Sequence, residues 1–120
     1  MDCIFCKIIN GEIPCYKVYE DDIVLAFLDI NPDSDGYTLI VPKTHYTDIT
    51  DIPNDVISHI FDVTRIIKKK LEDKLGIDGL TLIQNNGVIQ EVKHFHLHLK
   101  PFYKEKRLTN VEEVYKKIEE

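Results

Sequence analysis

The segment His94-Phe95-His96-Leu97-His98-Leu99 alternates an imidazole with a large apolar side chain over six residues. Side chains alternate faces along a strand, so this pattern calls for an extended chain in a sheet. Phe95, Leu97 and Leu99 then face a core, while His94, His96 and His98 share the other face with rings about 6.6–6.8 Å apart along the strand. Three readings fit such a face: a chance polar edge, a metal site made of imidazoles, or a site for phosphoryl chemistry. Imidazole is the commonest metal ligand. It also suits phosphorus chemistry, because its neutral nitrogen is a nucleophile near pH 7 and water readily cleaves the P–N intermediate it forms. A neighbouring imidazolium can neutralise phosphate oxygens or protonate a leaving group.

The rest of the chain supplies a sheet and a core for that strand. At 120 residues it fits one domain spanning 1–120, large enough to bury about two thirds of its unfolded surface. Composition is that of an ordinary globular protein, 43% apolar and 30% charged. No apolar run approaches the ~18 residues of a membrane span. No signal-peptide pattern opens the chain, so a cytoplasmic protein is expected. The net charge of −6 disfavours a nucleic-acid partner, for which a basic face is needed.

Local signals place the elements. Cys3–Ile9 suits one or two helical turns closed by Asn10-Gly11. Tyr16–Glu20 and Ile23–Leu28 read as strands joined at Asp21-Asp22, and Tyr37–Val41 as a third that Pro42 ends. After Pro53-Asn54, apolar residues at Ile57, Ile60, Phe61, Ile67, Leu71 and Leu75 carry helical spacing, with Gly76 as a cap. Gly79–Asn85 and Val92–Phe102 read as further strands. Thr109 or Asn110 caps a last helix. The fold class is α+β: an antiparallel sheet of about five strands, one long central helix, a short N-terminal helical turn and a C-terminal helix.

Cys3, Cys6 and Cys15 are the three cysteines. An odd count argues against a disulfide framework. Cys3 and Cys6 have the spacing of a zinc half-site, which a pair of reduced thiols would also produce.

With these motifs in view, the chain resembles the histidine-triad (HIT) superfamily, in its nucleotide-binding, Hint-like branch. The triad carries the resemblance. Further matching segments, in the same order, are Cys3-Ile4-Phe5-Cys6, Val18-Tyr19-Glu20-Asp21, Leu25-Ala26-Phe27-Leu28-Asp29-Ile30-Asn31-Pro32, Val41-Pro42-Lys43-Thr44-His45 and Asn85-Asn86-Gly87.

The resemblance implies a HIT-like fold and a nucleotide hydrolase or transferase acting on the α-phosphate of purine nucleoside phosphoramidates. His96 would form a covalent nucleotidyl intermediate, His98 would contact phosphate oxygens, and His94 would support the array. Asn85 and Gln90 would lie near the phosphate, Asp29 would accept from the ribose hydroxyls, and Phe27 and Ile30 would line the base pocket. It further implies a structural zinc held by Cys3, Cys6, His45 and His94, no cofactor for catalysis, and a homodimer. Two other activities remain open here: dinucleoside polyphosphate hydrolysis, and a regulatory module that binds nucleotide with negligible turnover. The chain departs from the family pattern in a short Asn85–Gln90 loop, in Glu91 where several relatives have a small hydroxyl residue, in Tyr37 where many have histidine, and in Lys100-Pro101.

Overall fold

A computed structural model describes residues 3–105 and 108–120. Helix α1 (Ile4–Ile9) is capped by Cys3, whose Sγ accepts from the Cys6 N–H. Strands β1 (Lys17–Glu20) and β2 (Val24–Leu28) form a hairpin, and β3 (Thr38–Pro42) follows. Helix α2 (Asn54–Leu75) leads to β4 (Gly79–Ile83), a 3-10 turn at Gly87–Ile89, β5 (Leu97–Phe102) and helix α3 (Val111–Glu119). The five strands form one antiparallel sheet in the order β1-β2-β3-β5-β4. The architecture is the expected α+β. No helix is long and apolar enough to cross a membrane among the described residues.

Both faces of the sheet are covered, so β2 and β3 are buried at every position. On one face Val24, Ala26, Leu28, Ile40, Leu97 and Leu99 meet Ile60, Val63, Ile67 and Leu71 of α2 and Val114 and Ile118 of α3. On the other, Leu25, Phe27, Leu39 and Val41 meet Phe5 and Ile8 of α1. Burying each of these aliphatic side chains contributes about 1.5–3 kcal/mol. The long helix ends as its sequence dictates: Gly76 takes the left-handed conformation, φ 66°, and its N–H bonds to Glu72 O. Asn110 caps α3 by accepting from Glu112 and Glu113 N–H.

Gly36 is the second glycine whose geometry matters. Its φ is 85°, and a Cβ built there would lie 2.7 Å from Leu75 Cδ1 and 3.3 Å from Leu71 Cδ2. The chain therefore passes tightly over the end of α2 just before Tyr37, the residue that precedes β3.

Two strand limits differ from those expected. The strand anticipated over Val92–Phe102 begins only at Leu97, so His94 lies in a bend and His96 in the irregular segment just before the strand. The ladder with β3 runs from Leu99 opposite Thr38 to Leu97 opposite Ile40. Beyond it the Phe95 N–H turns to Tyr46 O at 2.7 Å. Pro42 has no N–H to extend the pairing, and its carbonyl is taken by the His94 ring. The strand anticipated over Gly79–Asn85 stops at Ile83, where Gln84 and Asn86 bond to each other's side chains instead.

Candidate active site and metal centre

The α1 face of the sheet carries a cavity of about 540 Å³, within the usual range for small-molecule sites. Phe5, Asp29, Ile30, Tyr37, Asn85, Glu91, His96 and His98 are among its lining residues. Each ring of the triad has one nitrogen occupied by the protein, and two of the partners are backbone carbonyls, which only accept.

His96 Nδ1 lies 2.8 Å from His94 O, so Nδ1 carries the hydrogen and Nε2 keeps its lone pair. Burial depresses the pKa of this ring, opposed by the carbonyl bond and by Glu91 and Asp29. Neutral His96 is thus held near pH 7 with a nucleophilic Nε2. The Phe5 ring stands edge-on to it, centroids 5.0 Å apart.

His94 is reversed. Its Nε2–H donates to Pro42 O at 2.8 Å, leaving the Nδ1 lone pair 3.4 Å from Cys3 Sγ and 3.6 Å from Cys6 Sγ. The residue is wholly buried, and burial drives its pKa down to about 4. It does not line the cavity. His98 Nδ1 is 3.0 Å from Tyr37 Oη, while its Nε2 is buried with no hydrogen-bond partner among the described residues. Burial lowers the pKa of this ring also, aided by His96.

Cys3, Cys6, His45 and His94 bring four ligand atoms within 4.8 Å of one another. In a tetrahedron with Zn–S of about 2.3 Å and Zn–N of about 2.0–2.1 Å, each S···N edge measures about 3.5 Å. Three of the four S···N edges here, Cys6–His45, Cys3–His94 and Cys6–His94, measure 3.3, 3.4 and 3.6 Å. His94 Nδ1 is left as a lone pair by the carbonyl on its other side, the arrangement that orients metal-ligating histidines. The residues present fit a closed Cys2His2 zinc site, which would supply structure and no open coordination position for chemistry.

Asp29, Ile30, Asn85, His96 and His98 all reach the cavity. Asp29 also builds a turn, its Oδ1 accepting from Asn31 N–H. Two residues expected at the ligand, Phe27 and Gln90, are not among the residues that line this cavity. Phe27 is buried in the core behind Phe5, ring centroids 5.7 Å apart, so Phe5 presents the aromatic surface. Gln90 is 2% exposed and its amide donates to Thr47 O at 2.7 Å, because it follows a 3-10 turn that aims it at the loop after β3. Phe5 itself went unrecognised, since a phenylalanine inside an apolar helical turn carries no sign of a ligand contact. The partnership of Tyr37 with His98 spans 61 residues and was equally silent.

Residues 10–105 match the sequence model of the HIT domain. An uncharacterized HIT-like protein of Methanocaldococcus jannaschii is 51% identical over 105 residues, covering 84% of this chain and 79% of that protein. An adenosine 5'-monophosphoramidase of Saccharomyces cerevisiae is 42% identical, over 87% of this chain and 65% of its own length. Among solved structures, a Zn-bound histidine triad family protein from Mycobacterium smegmatis superposes with a TM-score of 0.90 at 34% identity, covering 98% of this chain and 91% of that one. The chain belongs to the HIT family.

Proposed function

We propose that this protein hydrolyses purine nucleoside phosphoramidates at the α-phosphate. The observation that carries the reading is the enforced tautomer of His96: its Nδ1–H is committed to a carbonyl, so a neutral Nε2 lone pair is the group left for attack. Relatives of Saccharomyces cerevisiae, Schizosaccharomyces pombe and Candida albicans named adenosine 5'-monophosphoramidases support the substrate class. In the reaction His96 Nε2 bonds to phosphorus as the P–N bond to the departing amine breaks and that nitrogen takes up a proton from solvent, which the later attack of water on phosphorus returns. Water then cleaves the nucleotidyl-histidine and returns the free ring. Asp29 would accept from the ribose hydroxyls, while Ile30 and Phe5 flank the base.

Charge favours this over dinucleoside polyphosphate hydrolysis. Asp29, Asp33 and Glu91 line the cavity, Asp33 paired with Lys100 Nζ at 3.0 Å, and no lysine or arginine is among the lining residues described. A single phosphate with an uncharged or cationic leaving group suits such walls better than a polyphosphate chain.

The test compares wild type with His96→Ala on adenosine 5'-phosphoramidate, with AMP binding measured in parallel. The variant should bind AMP and lose at least about 10³-fold in kcat, as loss of a nucleophile does. Equal turnover by the two proteins overturns the mechanism, and AMP binding without turnover in the wild type makes the protein a nucleotide-binding module instead.

A structural zinc at Cys3, Cys6, His45 and His94 belongs to the same reading, supported by the ligand spacing and the Zn-bound relative. So does a homodimer. Strand β4 is a sheet edge. Beside it, Phe61, Arg65 and Lys68 of α2 and Leu80 and Leu82 of β4 line a groove that an identical groove related by a two-fold axis would cover.

A further inference from the structure

Tyr37 lies one residue outside β3, yet its position is closely defined. Its N–H bonds to Ser34 O and its carbonyl accepts from the Asp29 N–H. Leu39 pairs with His98 across the ladder, so Tyr37, two residues earlier, shares that face and is the diagonal neighbour of His98. An aromatic side chain spans such a diagonal. The two rings stand edge-to-face, 83° apart, with Tyr37 Oη 3.0 Å from His98 Nδ1.

Two hydrogens compete for that contact, and the surroundings decide between them. Tyr37 is half-buried, and burial together with Asp33, Asp29 and Glu91 raises its pKa above the ordinary phenol value, so it keeps its hydrogen. His98 Nδ1 offers a lone pair only when the ring's hydrogen is on Nε2. That Nε2 is the atom found buried and unpartnered in a residue that lines the cavity.

We propose that Tyr37 is the positioning residue of His98: its phenol donates to His98 Nδ1 and holds the ring as the neutral Nε2–H tautomer, a donor reserved for the substrate's phosphate or departing nitrogen. The triad is then set by three different acceptors and donors. Backbone carbonyls fix His94 and His96, and a side chain fixes His98. His98 is consequently the one ring of the three whose tautomer a single substitution resets without moving the backbone. The catalytic consequence rests on the phosphoramidase reading, whereas the tautomer itself does not.

The experiment is nitrogen-15 NMR of the imidazoles at pH 8, with His98 assigned from His98→Asn, on wild type, Tyr37→Phe and Tyr37→His. Wild type should show His98 as Nε2–H. Tyr37→Phe should show a mixture of tautomers, and Tyr37→His, which restores an N–H donor, should return the Nε2–H form. An unchanged His98 signal in Tyr37→Phe overturns the proposal whatever the activity. On adenosine 5'-phosphoramidate, Tyr37→Phe should lower kcat about tenfold, the scale of one hydrogen bond, with AMP affinity within about twofold and recovery in Tyr37→His. A tautomer shift with wild-type kcat would overturn the catalytic consequence. A tautomer shift in Tyr37→Phe, together with a wild type that lacks the activity, would leave Tyr37 as the positioning residue and refute the phosphoramidase reading alone.

Discussion

At the scale of single residues, the protein repeatedly uses fixed acceptors to decide where protons sit. Asp21 shows the same device outside the site. Burial would raise its pKa, but N–H groups of Val24 and Ile23, the His59 ring at 2.6 Å and the Tyr19 hydroxyl outweigh it and hold the carboxyl well below the usual range. The cluster ties the β1–β2 hairpin to α2. A carboxylate with a depressed folded pKa adds stability that is fully present above the unfolded value near 3.9 and is lost as pH falls below it. Asp21→Asn should therefore cost about 1–3 kcal/mol at pH 7, the penalty for stranding donors, and progressively less below pH 4. Urea unfolding of both proteins at pH 7 and pH 2.5 checks this, and an equal deficit at the two pH values refutes it. The individual triad residues were legible from their alternation, but the His59–Asp21 pair was not, because it joins positions 38 apart that no local pattern connects.

At the scale of elements, α1 has too few residues to be stable by itself, since isolated helices shorter than about 12–15 residues are marginal in water. It is held by Phe5 and Ile8 in the core and by two thiols beside His45 and His94. One zinc per chain, measured on protein purified without chelators, is the expected content. Removing it, or replacing Cys3 with serine, should lower the Tm and raise hydrogen exchange in residues 3–10, with smaller changes in α2. Uniform exchange after metal removal would contradict a local pin. Here the sequence was informative for helices and for strand identity. The 3.6-residue spacing of α2 and the Gly76 cap set its end correctly. Strand ends were less legible, because β5 stops where its neighbour loses a donor at Pro42, and that is a property of the partner strand. Gln90 was misplaced for a related reason: the direction of a side chain in a short turn depends on the loop beside it, here Thr47.

At the scale of the whole molecule, one side of the sheet edge is unfinished. Leu82 of β4 and Phe61 of α2 are each 42% exposed and line one groove with Leu80, an apolar strip beside an unpaired strand. Light scattering should give twice the chain mass. A Leu82→Glu, Phe61→Glu double variant should give the mass of one chain while keeping its circular dichroism. A monomeric wild type at micromolar concentration would refute the dimer. The fold as a whole was readable because antiparallel neighbours, one long amphipathic helix and a triad strand leave few arrangements. The site was readable in its chemistry and only partly in its contacts: alternation told which rings share a face, whereas Phe5, Glu91 and the Tyr37 bond depend on how α1 and the loops close over it.

The close packing at Gly36 links these scales. The last turn of α2 fills the volume where a side chain would sit, and the next residue is the phenol that faces His98. A methyl group added there is remote from any nucleotide, yet it would push against Leu75 from one side and displace Tyr37 on the other. Enlarging Leu75 should therefore disturb the Tyr37–His98 contact as well as the core, and the His98 nitrogen-15 signal of such a variant checks this.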